Sequence, residues 1–197
     1  MQIRQTDFFA KDREQAPHRV SHGGDLRQGR RKICRPLDHK KPLHLVLKSS
    51  FATGRLSFLT AKNRLFVEAT LRAQASRKGL TIHSFQNVGN HLHLIIRFSK
   101  RLAFQNFLRT VTALIARFVT GARRGKPFGK RFWDELAFTR VLTGFKDFRA
   151  MQNYLIKNEV ERKLGAEMRE AVEVIEAKRR KMWAHARAIL FSNSSTA

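Results

Sequence analysis

The sequence is short of cysteines and of long apolar runs, and each shortage excludes a class of protein. One cysteine, Cys34, stands among 197 residues, so no disulfide can form within the chain. No stretch approaches about eighteen uninterrupted apolar residues, which excludes a membrane-spanning helix. Residues 1–10 lack the charged and then apolar pattern of a secretory signal. We therefore expect a cytoplasmic protein in which Cys34 is an ordinary reduced surface thiol.

Acidic residues are also scarce, and this imbalance indicates the kind of partner. Fifteen Asp and Glu face forty Lys and Arg, which gives a net charge of +25 and a pI of about 11.6. Self-repulsion on this scale opposes folding, so it usually reflects a polyanionic partner. We expect nucleic acid at the nucleoid rather than a membrane, because nothing in the chain spans a bilayer. Apolar residues make up 42 % of the chain, enough for one folded domain.

Charge and hydrophobic pattern divide the chain into three segments. Residues 1–41 are poor in apolar side chains and contain two basic runs, which predicts a flexible basic N-terminal arm. Residues 42–163 carry the periodic apolar pattern of a folded domain. Residues 164–197 are predicted to form a charged C-terminal helix and tail.

Periodicity within the middle segment predicts strands and helices in a definite order. Alternation of apolar residues indicates strands, and spacings of three and four indicate helices, the first of which Gly79 would end. Strands are predicted at 43–48, 81–86, 91–98 and within 136–142, and helices at 55–78, 104–118 and from 145 onward. This order is that of the α+β, ferredoxin-like split βαβ fold, a four-stranded antiparallel sheet with helices on one face. The helix from residue 145 and the C-terminal helix are additional to it.

The third predicted strand contains a His-Leu-His motif. Consecutive strand residues point to opposite faces, so His91 and His93 share one face while Leu92 points to the other. Two adjacent imidazoles give a two-point grip on a divalent metal ion, and a catalytic metal needs at least one further protein ligand. The alternative is a pair of surface histidines that binds no metal.

The chain has sixteen phenylalanines but one tyrosine, Tyr154. Helical spacing places Phe148, Met151 and Leu155 on a buried stripe, with Tyr154 and Asn158 close together at its margin. From there Asn158 would add an oxygen ligand to the two imidazoles, and the phenol would face the same metal. The alternative is a packing tyrosine whose hydroxyl reaches water.

Residues 121–131 predict a basic, glycine-rich loop. Its three glycines let the backbone approach phosphates, and its five bases supply charge. We assign nucleic-acid contacts to the bases Arg123, Arg124, Lys126, Lys130, Arg131 and Lys157. The alternative is a mobile, solvated loop. The next two residues, Phe132 and Trp133, would either stack on unpaired bases or, as we favour, be buried beneath the sheet.

These motifs together resemble a known family, the single-tyrosine HUH transposases. The resemblance is strongest to the REP-associated tyrosine transposases and related IS200-like proteins, and it covers residues 43–161. The residues that carry it are Asn90-His91-Leu92-His93, Phe132-Trp133, Tyr154 and Asn158. The resemblance implies metal-dependent cleavage and rejoining of single-stranded DNA, with hairpin-bearing DNA as partner and a monomer or homodimer as the active form.

The resemblance also implies roles for individual residues. His91 and His93 would hold Mg²⁺ or Mn²⁺, with Asn158 as third ligand. Tyr154 would be the nucleophile, forming a covalent 5′-phosphotyrosine and releasing a 3′ hydroxyl. The chain departs from the family in having Gly89 before the His motif and Glu159 after Asn158, where proline is frequent. The small transposases of insertion sequences usually carry glutamine at the position of Asn158.

Two other interpretations stay open at the level of sequence. A non-catalytic, domesticated nucleic-acid-binding relative would keep the fold and the charge. An RNA-associated basic protein would explain the charge but leave the His pair and the tyrosine unused. A phosphodiesterase with two His-x-Ser/Thr motifs is disfavoured, because the His-Leu-His motif has no such partner in the sequence.

Overall fold

The computed structural model describes residues 20–24 and 34–164, which form parts of two compact units, 1–143 and 144–197. The predicted C-terminal helix beyond residue 164 and most of the predicted N-terminal arm lie outside the described residues. None of the helices in the described residues combines the length and the apolar character that a membrane-spanning segment needs.

The order of elements in the described residues follows the prediction. The first unit contains the strands β1 (Ser21–His22), β2 (Leu43–Lys48), β3 (Leu80–Asn87), β4 (His91–Phe98) and β5 (Phe138–Val141), and the helices α1 (Ala61–Lys78) and α2 (Arg101–Thr120). The second unit contains the helix α3 (Phe145–Leu164). The predicted strand–helix–strand–strand–helix–strand sequence is thus confirmed, and it is followed by the extra helix.

The strands form one antiparallel sheet in the order β1-β5-β2-β4-β3. Strands β5, β2, β4 and β3 have the ferredoxin-like arrangement, so the predicted fold class is confirmed. The prediction of four strands needs one correction, because β1 adds a fifth strand at the β5 edge through the pairs Ser21–Arg140 and His22–Thr139. A two-residue strand inside a segment predicted as an arm has no periodicity by which sequence could reveal it.

Both helices of the first unit pack on the same face of the sheet. Alternate residues of β2 and β4 enter one buried apolar cluster with side chains from α1 and α2. The fully buried members include Leu45 of β2, Leu94 of β4, Val67 of α1 and Phe107 of α2. This alternation leaves the intervening residues of β2 and β4 on the other face of the sheet.

The ends of α1 show why the predicted helix was too long. Thr60 caps its first turn by accepting a hydrogen bond from the Asn63 backbone N–H at 3.3 Å. The Asn63 side chain also holds the preceding loop, donating to the carbonyl of Ser57 at 2.8 Å. Residues Gly54–Leu56 form a separate 3-10 turn, so the helical spacing before residue 61 is not continuous helix. Gly79 ends α1 at φ +67°, as predicted.

Candidate functional site

The face of the sheet opposite α1 and α2 carries the His-Leu-His motif. His91 is half-buried and His93 is 4 % exposed, while the intervening Leu92 is fully buried in the core. The rings of His91 and His93 are nearly parallel, at 18°, with centroids 6.1 Å apart. The two imidazoles therefore lie side by side, as the spacing of a strand predicts.

A third imidazole, which the sequence analysis missed, adjoins this pair. Strand β2 runs antiparallel to β4 with Val46 opposite His93, which places His44 diagonally across from that ring. Nε2 of His44 lies 3.3 Å from Nδ1 of His93, and the rings stack at 9° with centroids 5.6 Å apart. The alternation of His44 with Leu43 and Leu45 indicates that His44 faces away from the core. Its position next to His93, however, depends on how β2 pairs with β4.

Hydrogen bonds at Nδ1 orient both imidazoles of the motif. Nδ1 of His91 lies 2.7 Å from Oδ1 of Asn90, an oxygen that only accepts, so Nδ1 is the donor. In neutral His91 the lone pair is then on Nε2. Nδ1 of His93 lies 3.3 Å from Nε2 of His44, and in the tautomer in which His93 donates, its lone pair is on Nε2. Metal-bound histidines ordinarily have this arrangement, with one ring nitrogen hydrogen-bonded and the other on the metal.

Burial keeps His93 and His44 neutral. Desolvation, with a smaller contribution from the charge of His91, lowers the pKa of His93 from 6.5 to about 3. Desolvation also holds the pKa of His44 well below 6.5, with contributions from His93 and Arg140. Neutral imidazole is the form that coordinates metal ions, so no proton has to leave these rings near pH 7.

A buried amide, Gln86, lies on the other side of His93. Strand β3 pairs Gln86 directly with His93, while its neighbour Phe85 pairs with Leu94 and packs against the core. Gln86 therefore shares the face of the imidazoles. It is 4 % exposed, and neither its amide oxygen nor its amide nitrogen has a hydrogen-bond partner among the described residues. We call the set His44, Gln86, His91 and His93 the histidine face.

The chemistry of this face fits a divalent cation. It offers two adjacent imidazoles and one unsatisfied amide, packed on adjacent strands. In residues 20–24 and 34–164, no three His, Cys, Asp or Glu side chains gather in a way that could hold a metal ion. The amide oxygen of an Asn or Gln is a further ligand that suits such an ion.

The turn before His91 requires a glycine. Gly89 has φ +101°, a conformation closed to proline, whose ring holds φ near −65°. A Cβ at this position would also lie 3.2 Å from Cδ1 of Leu59. The Gly89 carbonyl accepts a hydrogen bond from the Phe58 backbone N–H at 2.8 Å, which ties the turn to the loop before α1.

Tyr154 and Asn158, the predicted nucleophile and third metal ligand, lie on α3, in the second unit. Phe148, Met151 and Leu155 are buried, which confirms the predicted stripe. Tyr154 and Asn158 are half-buried and one helical turn apart. The structure brings His91 and His93 together within the first unit; their meeting with Tyr154 and Asn158 stays a prediction.

The predicted nucleic-acid contacts are all on exposed side chains. They comprise the five bases of the loop and one lysine of α3: Arg123, Arg124, Lys126, Lys130, Arg131 and Lys157. The loop turns tightly where the backbone groups of Arg123 and Lys126 bond each other in both directions, at 3.1 and 2.9 Å. The salt bridges found in the described part of the chain, Lys41–Asp38 and Arg72–Glu68, do not involve the loop. Its charge is therefore presented to solvent.

A cavity of about 660 Å³ lies between α2 and this loop. Its basic lining residues are Lys48, Arg109, Arg117, Lys130 and Arg131. Trp133 also lines it and donates its indole N–H to the Thr112 carbonyl at 3.0 Å, while Phe132 is 6 % exposed. These two aromatic side chains are thus packed into the protein, as we favoured, rather than extended toward unpaired bases.

Comparison with known proteins identifies the fold. No protein-family model matches the chain, and no curated protein matches its sequence. A solved structure of a REP-associated tyrosine transposase bound to a REP hairpin superimposes with a TM-score of 0.53 at 14 % identity, covering 68 % of this chain and 75 % of that one. A second solved structure, a candidate transposase from Deinococcus radiodurans R1, is 20 % identical over 65 % of this chain and 97 % of its own, with a TM-score of 0.41. The chain shares the fold of the former.

Proposed function

We propose that this protein is a transposase-type enzyme that cleaves and rejoins single-stranded DNA, with Tyr154 as nucleophile and a divalent metal ion at His91 and His93. The observation that carries the proposal is the orientation of the two imidazoles. Each has its Nδ1 within hydrogen-bond distance of a protein group, so Nε2 is the ring nitrogen left for a metal ion, and both rings lie on one face of the sheet. A fold shared with a tyrosine transposase makes this pair more than a chance feature of a surface.

In the proposed reaction the phenolic oxygen of Tyr154 attacks the scissile phosphorus as its proton is lost. The bond from phosphorus to the 3′ oxygen breaks, and that oxygen takes up a proton and leaves as a 3′ hydroxyl. The phosphorus stays on Tyr154 as a 5′-phosphotyrosine, which preserves the bond for rejoining. A 3′ hydroxyl then attacks the phosphotyrosine and restores the phenol. Bound Mg²⁺ or Mn²⁺ would polarise the phosphate and neutralise charge on its oxygens.

The chain's own residues prepare this chemistry before the substrate arrives. Asn90 and His44 hold the rings of His91 and His93 in place from the Nδ1 side. The predicted third ligand is Asn158, which lies one turn beyond Tyr154 on α3. Neutrality of His93 at pH 7 favours coordination, because a protonated ring has no lone pair to give.

Positive charge provides the grip on DNA. The loop bases are exposed, and Lys48 joins the two regions because it is the β2 partner of His91 and also lines the basic cavity. A phosphate backbone lying along the loop would thus reach the end of β4 that carries His91. We propose a hairpin with single-stranded flanks as substrate, in line with the hairpin bound by the structural neighbour.

A second candidate is a DNA-binding protein that has lost catalysis. The exposed basic loop supports it, since binding through phosphates needs charge but neither metal nor tyrosine. This protein would bind hairpins tightly and with a steep salt dependence, and it would form no covalent adduct under any metal condition.

The deciding experiment traps the covalent intermediate. Wild-type protein and Tyr154→Phe are incubated with labelled hairpin DNA and Mn²⁺, and the products are separated on a denaturing gel. We expect a protein–DNA adduct and a free 3′ hydroxyl in wild type, and binding without an adduct in the variant. Gln152→Ala, a half-buried polar position on the same helix, serves as the control and should form the adduct. Cleavage by Tyr154→Phe at the wild-type rate would refute the assignment.

A further inference from the structure

The amide of Gln86 is the one buried side chain of the histidine face whose polar atoms are all without a hydrogen-bond partner among the described residues. A buried amide without a partner is unfavourable, and such groups usually indicate a missing water, ion or ligand. Gln86 is 4 % exposed, so bulk solvent does not provide the missing bonds. The position is therefore poorly explained by folding alone.

An irregularity in β3 is what turns Gln86 toward the imidazoles. Ile82 and Phe85 both pack toward the core although they are three residues apart, which plain alternation does not allow. The register shifts between Ile82 and Ser84, so His83 is an extra residue and the strand changes face after it. Without this bulge Gln86 would point into the apolar core.

Strand pairing then places three possible metal ligands on the two adjacent strands β3 and β4. Gln86 is directly opposite His93, and side chains paired in this way have Cβ atoms roughly 5 Å apart. His91 is stacked next to His93 on the same face. His44 contacts His93 from the β2 side, so Gln86 approaches it from the opposite, β3 side.

From this geometry we infer that Gln86 supplies an amide oxygen to the divalent metal ion held by His91 and His93. This inference rests on the proposed function for the identity of the metal site and adds a ligand to it. An amide oxygen is a suitable ligand for Mg²⁺ and Mn²⁺. All three side chains belong to the first unit, so the metal site is built by the sheet itself and does not require Asn158.

The inference is tested by Mn²⁺ binding to the full chain without DNA, followed by electron paramagnetic resonance. Gln86→Leu should weaken binding about tenfold or more, and Gln86→Glu should retain or strengthen it because a carboxylate is the better oxygen ligand. Ser84→Ala, on the same face but paired with Ile95, two residues along β4 from His93, is the matched control and should bind as wild type does.

A second readout separates a ligand from a structural residue. In EDTA the melting temperature of Gln86→Leu should equal or exceed that of wild type, because the variant removes an unsatisfied buried amide. If Gln86→Leu is too unstable to study, the affinity of Gln86→Glu decides, and a large loss of Mn²⁺ binding there would overturn the inference.

Failure of this inference can be told apart from failure of the proposed function. Wild-type affinity in Gln86→Leu, together with lost binding in His91→Ala, would remove Gln86 and leave the metal site standing. If His91→Ala and His93→Ala bind Mn²⁺ as wild type does, the metal site itself is wrong and the inference falls with it.

Discussion

The histidine face and the basic loop both consist of nitrogen-rich side chains, but they use them in opposite ways. On the histidine face, burial removes charge, and the pKa of His93 falls to about 3. In the loop, Arg123, Arg124 and their neighbours are exposed and keep their charge in solvent. The difference indicates a division of labour. Buried rings can direct lone pairs at a bound ion, whereas exposed cations attract phosphates without needing a fixed orientation.

Removing one ring of the His-Leu-His motif is the strongest test of this division of labour. His91→Ala or His93→Ala should lower Mn²⁺-dependent cleavage by roughly a thousandfold or more, since each removes a ligand of the proposed metal. Hairpin binding should change little, because it depends on the loop. Single-turnover cleavage with Mn²⁺ and with EDTA measures the first, and a gel-shift titration measures the second. Cleavage that persists in excess EDTA would contradict the metal role.

The next largest effect concerns the missed residue, His44. His44→Leu removes the hydrogen-bond partner of His93 Nδ1, and losing such a partner typically costs about 10- to 100-fold in metal affinity. His44→Gln is the matched control, because its amide can occupy the place of Nε2 and should recover most of the loss. Mn²⁺ titration measures both. Equal affinity in His44→Leu and wild type would mean that the contact does not orient His93.

Charge removal in the loop should act in the opposite way. The triple variant Arg123→Ala, Arg124→Ala, Lys126→Ala should weaken binding to all DNA sequences alike and leave Mn²⁺ binding intact. Removing one phosphate contact from a single strand reduces the slope of log K against log salt by about 0.7, so a reduction of about 2 is expected for three. Arg72→Ala, an exposed arginine paired with Glu68 on α1, is the control. An unchanged salt slope would place the DNA elsewhere.

The smallest expected effect is on the pH dependence of the folding stability. The pKa of His93 is about 3 in the folded protein and near 6.5 in the unfolded chain. Between these values the unfolded chain binds more protons, so the stability is fully present above pH 6.5 and is lost as the pH falls toward 3. In EDTA, melting temperatures should fall by several degrees from pH 7 to pH 5. His93→Phe should flatten this dependence; an equally steep profile would assign it to other groups.

Much of the fold followed from local pattern. The apolar alternation in β2 and β4 and the helical spacing in α2 depend only on residues close in sequence, and Gly79 ends α1 as its type suggests. The start of α1 was placed too early, because a 3-10 turn and a loop held by Asn63 imitate helical spacing. Strand β1 was not predicted, because a strand of two residues is too short to show periodicity.

The residues of the candidate site also differ in whether local sequence pattern predicts their positions. Local pattern was enough to place His91 and His93 on one face and Tyr154 one turn from Asn158, because both follow from the period of a single element. The presence of His44 and Gln86 beside the pair follows only from the three-dimensional fold. His44 reaches His93 through the register of β2 on β4, and Gln86 through a bulge that reverses the faces of β3. Register and bulge depend on pairing between distant segments, which no local spacing contains.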